Sequence, residues 1–202
     1  MESLDRQAPP ISIHKPKIDL TPTLIYVRSI VSHYSTSVSL LQQKLAFLLA
    51  MAALLRPSDL VRIPFSSCKV DPSDGCRHFK VIVPKVRRRR RRIIKDLRVH
   101  PHQDQAFCPV YCFTVLRDHP HLQGRMANSL LFLHANNIRK PVVSHTISSW
   151  LHHNFISKCT TESCVSIRSL ASFTALGNGV SLQDIVSPGN WASSDTFQQY
   201  YQ

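Results

Sequence analysis

The sequence predicts a mostly helical domain with a small antiparallel β-sheet, an α+β fold, and three observations point there. Apolar residues recur at helical spacing, most regularly at Leu41, Leu45, Leu48, Leu49, Ala52 and Leu55. Between Ile63 and Val99 the texture changes to shorter, β-like runs. A hydrophobic content of 43% over 202 residues is enough for a real core, in one domain of somewhat more than average size or two small ones.

The elements follow in order. Residues 1–20 are Pro-rich and aperiodic and read as a flexible lead-in, leaving 21–202 as the folded domain. Thr21-Pro22 opens a helix to about Tyr34, with proline where a helix start tolerates it. Ser39 with Gln42 has capping-box spacing at the head of the long apolar helix, which ends near Arg56-Pro57. His78–Val83 and Ile93–Val99 read as a hairpin whose turn holds Lys85 and the run Arg87 to Arg92. Cys108-Pro109 opens a helix to about His119, and Leu130–Leu133 reads as a short extended segment. Ser144 caps a helix with Ile147, Trp150, Leu151 and Phe155 on one face. Three last helices are expected at about 165–176, 181–186 and 193–201, split by Gly177, Gly179, Pro188 and Gly189.

Charge narrows the class of partner. Twenty-five Lys and Arg against twelve Asp and Glu leave a formal charge of +13. Such an imbalance repels itself in a folded chain and is usually offset by a polyanionic partner, of which a nucleic acid is one kind. A membrane is the competing polyanion. No uninterrupted apolar stretch approaches the roughly 18 residues a span needs, and there is no N-terminal signal sequence. Six cysteines (Cys68, Cys76, Cys108, Cys112, Cys159 and Cys164) include no C-x-x-C pair, so they read as reduced, buried thiols, and no metal or other cofactor is expected. The eleven histidines join no acidic cluster and read as surface or DNA-facing groups.

The residues that carry chemistry are Arg56, in LLAMAALLRPSDLVRI, and Arg168, followed at the C-terminus by Trp191 and the tandem Tyr200-Tyr201. Few reactions need two fixed guanidiniums, an indole N–H and a phenol. Cutting a phosphodiester with a tyrosine is one, because arginine forks neutralise the non-bridging oxygens while the phenol attacks phosphorus. On a helix, neighbouring tyrosines point about 100° apart, so only one can face the phosphate.

Both arginine stretches resemble the tyrosine recombinases of the phage integrase family, in the versions carried by eukaryotic retroelements and related mobile elements. The resemblance covers roughly residues 20–202. It implies a tyrosine recombinase catalytic domain. Its activity would be DNA breaking and rejoining through a 3′-phosphotyrosyl intermediate, with four protomers on two duplexes. In a eukaryotic mobile element it would work in the nucleus, and the run Arg87, Arg88, Arg89, Arg90, Arg91 and Arg92 could serve import as well as backbone contact. The catalytic set it implies is Arg56, Arg168, Lys85, Trp191 and Tyr201, with Tyr200 as the alternative nucleophile. Asp59 takes the acidic position after the first arginine. Lys85, at the hairpin tip, is either the acid for the leaving 5′ oxygen or a plain backbone cation, with Lys80 and Lys95 as weaker substitutes.

Two departures from the family bear on activity. The box His-x-x-Arg has Val165 where histidine belongs, and valine neither donates nor accepts a hydrogen bond. About twenty irregular residues precede the catalytic-like part, where family members carry a core-binding domain, and the chain ends one residue after Tyr201. A fragment or degenerate copy is therefore expected. The competing functions are a catalytically impaired DNA-binding remnant of a mobile element and, less well matched, a type IB topoisomerase-like enzyme.

Overall fold

The structure is a computed structural model that describes residues 17–71, 76–82, 87–88, 91–92 and 95–189, with the backbone alone at 70, 87–88, 91–92, 95 and 186–189. The element that organises it is α2, Val38–Ala53. Eleven of its residues are buried, including Leu41, Leu45, Phe47 and Leu49, so it is apolar around most of its circumference rather than along one stripe. A helix of that kind sits at the centre of a core. Around it pack α4 (Pro109–Arg117), α5 (Ser144–Leu151) and α7 (Ile167–Gly177). Of the expected stripe, Ala52 alone is exposed.

Helix starts differ from the expected caps. Ser37, not Ser39, caps α2, its Oγ accepting the Leu40 N–H at 3.3 Å. Gln42 is a tertiary clamp instead: its amide donates to the Leu133 carbonyl at 2.9 Å and accepts the Leu133 N–H at 2.7 Å. Both bonds are buried and span 91 residues, beyond the reach of a local capping rule. The first helix, α1 (Thr21–Ser29), begins after Leu20 and stops five residues short of Tyr34. There the side chains of His33 and Thr36 bond nearby backbone and hydroxyl groups, which draws this stretch out of the helix.

The β region is three small antiparallel pieces rather than one sheet. β1 (Lys69–Val70), β2 (Arg77–Val81) and β5 (Lys95–Val99) form a sheet in the order β1-β2-β5, with Phe79 opposite Leu97. Phe79 and Val81 are buried while Lys80 between them is exposed, the two-residue period of a half-buried strand. The arginine run is itself a ladder, not simply a turn: β3 (Arg87–Arg88) pairs with β4 (Arg91–Arg92), Arg87 opposite Arg92. A third hairpin joins β6 (Leu133–His134) to β7 (Asn137–Pro141). β7 is exposed and polar, so it carries no alternating signal in the sequence.

α5 runs through a π-helical turn, His152–Ile156, into α6, Ser157–Cys159. Val143 rather than Ser144 takes the cap position of α5. Phe155 fixes the π turn, its ring stacked on Phe47 at 4.5 Å and edge-on to Tyr26 at 5.5 Å. Beyond α7, α8 (Leu182–Gly189) takes Pro188 and Gly189 into its last turn.

Buried titratable groups make stability depend on alkaline pH. Burial pushes the Cys112 thiol up to about 11, against 9.0 ordinarily. A folded pKa above the unfolded one means that the stabilisation is complete below about pH 9 and is lost as pH rises towards 11, at up to roughly 1.4 kcal/mol per unit. Cys68, half-buried and pushed up to about 12, acts in the same direction, whereas the buried Lys44 ammonium, lowered by desolvation, acts oppositely. In urea unfolding under reducing conditions, Cys112→Ala is expected to be less stable than the parent at pH 7 and to decline less steeply between about pH 9 and 11. Parallel declines for the two proteins would rule out Cys112 as a source of the slope.

Candidate phosphate-binding site

Arg56 stands where the core helix stops. α2 is closed by Leu54 in the left-handed region, φ 53°, which costs a residue with a Cβ about 1–2 kcal/mol. It is the one non-glycine with positive φ among the described residues. The turn delivers the chain to α3, Pro57–Leu60, with Arg56 at its cap and Pro57 in its first position. Asp59 is buried, and its carboxylate accepts the Arg56 backbone N–H at 3.3 Å while its own N–H donates to the Arg56 carbonyl at 2.9 Å. The backbone of Arg56 is thereby fixed and its side chain left exposed.

Arg168 is the second residue of α7 and is only 5% exposed. Its helix start is closed reciprocally: Ser166 Oγ accepts the Ser169 N–H at 3.0 Å, and Ser169 Oγ accepts the Ser166 N–H at 2.8 Å. A buried guanidinium held on a capped first turn has little freedom, and it adds its charge to the positive end of the helix.

Residues 112 apart in sequence meet here. Arg56 and Arg168 line one cavity of about 730 Å³ between the starts of α3, α5 and α7. α5 contributes Ser144, His145, Ser148 and His152, and the segment before α7 contributes Ser163, Cys164, Val165 and Ser166. Among the described residues, two guanidiniums, two imidazoles and five serine hydroxyls (Ser58 is the fifth) line it, and no carboxylate does. That donor-rich lining suits an anion with several oxygens.

From composition alone the histidines of this wall read only as surface or DNA-facing groups, without a site. A specific signal existed: His145, Ser148 and His152 fall at i, i+3 and i+7 and so share one helix face, beside Ile147 and Leu151, which are buried. Two other expectations change. Cys164 is exposed and lines the cavity, unlike the other five thiols, which are buried or half-buried. His119 is not a surface group but 3% exposed, its Nε2 donating to the Thr36 carbonyl at 3.1 Å.

Val165 is confirmed as an apolar member of the wall, 5% exposed, three residues before Arg168. Lys80 lies on β2 with its ammonium 3.6 Å from the Asp96 carboxylate. Lys85, Arg89, Arg90, Trp191, Tyr200 and Tyr201 lie outside the described residues. Among those described, no three His, Cys, Asp or Glu side chains converge as a metal site, and no helix is long and apolar enough to cross a membrane.

No protein-family model matches the chain, and no curated protein matches it in sequence. Solved structures do. The chain superimposes on XerA recombinase with a TM-score of 0.61 at 17% identity, over 94% of this chain and 61% of that one. XerH site-specific recombinase bound to its difH substrate matches with a TM-score of 0.64 at 11% identity, over 93% of this chain and 51% of that one. The fold is that of tyrosine recombinase catalytic domains. A lambda integrase dimer bound to a COC′ core site matches with a TM-score of 0.55 at 14% identity, over 94% of this chain and 60% of that one. The chain thus spans about half to three fifths of the tyrosine recombinases it superimposes on.

Proposed function

We propose that this chain breaks and rejoins double-stranded DNA as the catalytic part of a tyrosine recombinase from a eukaryotic mobile element, acting in the nucleus. The observation that carries the reading is the meeting of Arg56 and Arg168 in one cavity that no carboxylate lines among the described residues. The structural neighbours XerH and lambda integrase, solved bound to their DNA substrates, support it. The charge of +13 adds a long-range attraction to the polyanion.

In this reading the two guanidiniums hold the non-bridging oxygens of the scissile phosphate, and the Trp191 indole N–H donates a third bond to it. The phenol oxygen of Tyr201, its proton passing to solvent water, attacks phosphorus and forms the Tyr–O–P bond as the bond to the 5′ oxygen breaks. Lys85 delivers a proton to that departing oxygen. The bond energy is conserved in the phosphotyrosyl link, so the reverse attack by a 5′ hydroxyl rejoins the strand and no nucleotide is consumed. Four protomers on two duplexes complete an exchange.

Val165 favours a second reading, a DNA-binding remnant with impaired turnover. Loss of a positioned donor or base costs about 10²–10⁴ in rate. A suicide duplex, nicked so that the cleaved end diffuses away, separates the two. The expected result is a covalent protein–DNA band that Tyr201→Phe abolishes and Tyr200→Phe leaves. DNA binding without any covalent band would establish the remnant instead. A band lost in Tyr200→Phe and kept in Tyr201→Phe would move the nucleophile by one residue.

A further inference from the structure

Val165 removes an imidazole from the wall of the cavity, yet the cavity does not lack imidazoles. Both come from α5 and its continuation. His145 lies in the exposed first turn, and His152 lies seven residues on, at the head of the π-helical turn. Seven residues bring the chain back to the same face about 10 Å further along the axis, so the two rings serve different ends of the cavity. His152 is half-buried, and its chain neighbours Leu151 and Ile156 line the same wall as Val165.

The tandem His152-His153 is not interchangeable. The His153 Nδ1 donates to the Ser149 carbonyl at 2.9 Å, and its ring is exposed. The His152 ring meets His153 edge-on at 5.5 Å and makes no hydrogen bond among the described residues. Neither of its nitrogens is engaged by a described residue, while its neighbour is committed to the helix. The position is also conformationally special. A π turn inserts one residue into an α-helix, and such insertions recur at functional sites.

We infer that His152 binds the phosphate held by Arg56 and Arg168, supplying from α5 the imidazole that the box before Arg168 lacks. The inference rests on the phosphate reading of the cavity, but not on the cleavage step. Ser148, one turn earlier on the same face, also lines the cavity. His145 lies too far along the axis to share one phosphate with His152.

Inorganic phosphate is the probe, followed by side-chain NMR of the full chain labelled at histidine. Saturable shifts of His152 are expected, abolished in Arg168→Ala. His152→Ala should weaken phosphate binding by about tenfold or more, the weight of a hydrogen bond to a charged group. His152→Gln, which keeps a donor, guards against a folding defect and should lose less. Val165→His in the His152→Ala background should recover affinity, which a purely structural role for His152 would not allow. Arg168-dependent binding with His152 unshifted, or with His145 shifted in its place, overturns the assignment and leaves the proposed function standing. No Arg168-dependent binding overturns both. Shifts of His152 in a protein that never forms a covalent DNA complex keep the assignment and remove the cleavage reading.

Discussion

Arg168→Ala is expected to reduce covalent-complex formation on the suicide duplex by about 10³-fold or more. The size follows from what the side chain would do. Removing one donor aimed at developing negative charge costs about 10²–10³, and removing an arginine that neutralises a transferring phosphoryl group costs about 10³–10⁵. Arg168 is buried on a capped first turn, so its charge acts from a fixed position with little water around it. DNA affinity should change far less, because it is spread over the twenty-five Lys and Arg of the chain. Arg168→Lys keeps the charge without the fork and should recover only part of the rate. Urea unfolding of each variant separates lost chemistry from lost stability. A variant that stays folded and still cleaves within about tenfold of the parent would remove Arg168 from the site.

The same residue shows how much the sequence could say. Arg56 and Arg168 were recognisable from their flanks, and each proves to sit at a helix start whose geometry those flanks encode: Arg-Pro-Ser-Asp for the short helix after α2, and Ser166 with Ser169 for α7. The long apolar helix was legible because its spacing repeats. What stayed hidden depends on distant partners. Gln42 matched a local capping pattern, but its real partner is the Leu133 backbone, 91 residues away. The π turn leaves no compositional mark, and the i, i+3, i+7 spacing of His145, Ser148 and His152 marks a shared helix face without saying what that face lines. Leu54 in the left-handed region is likewise invisible, since leucine is a poor residue for that conformation and a good one for the helix before it.

Replacing all six of Arg87, Arg88, Arg89, Arg90, Arg91 and Arg92 by glutamine is expected to flatten the salt dependence of DNA binding by several units. Each phosphate neutralised by a cation releases condensed counterions and adds about 0.9 to the slope of log affinity against log salt. A protein making 6–10 such contacts loses about 10³–10⁵ in affinity between 50 and 200 mM salt, so the substituted protein should bind far more weakly at low salt and converge on the parent at high salt. The backbone of the run supports a cooperative contribution, because Arg87 pairs with Arg92 and Arg88 with Arg91 in one ladder. A paired backbone is already ordered, where an unstructured run would lose conformational entropy on binding. Cleavage per bound complex should survive at saturating DNA, since the described lining of the cavity of Arg56 and Arg168 comes from the starts of α3, α5 and α7 and the segment before α7. An unchanged salt slope would place the run against solvent or an import receptor, and DNA affinity would then rest on the other nineteen Lys and Arg, twenty-five less six.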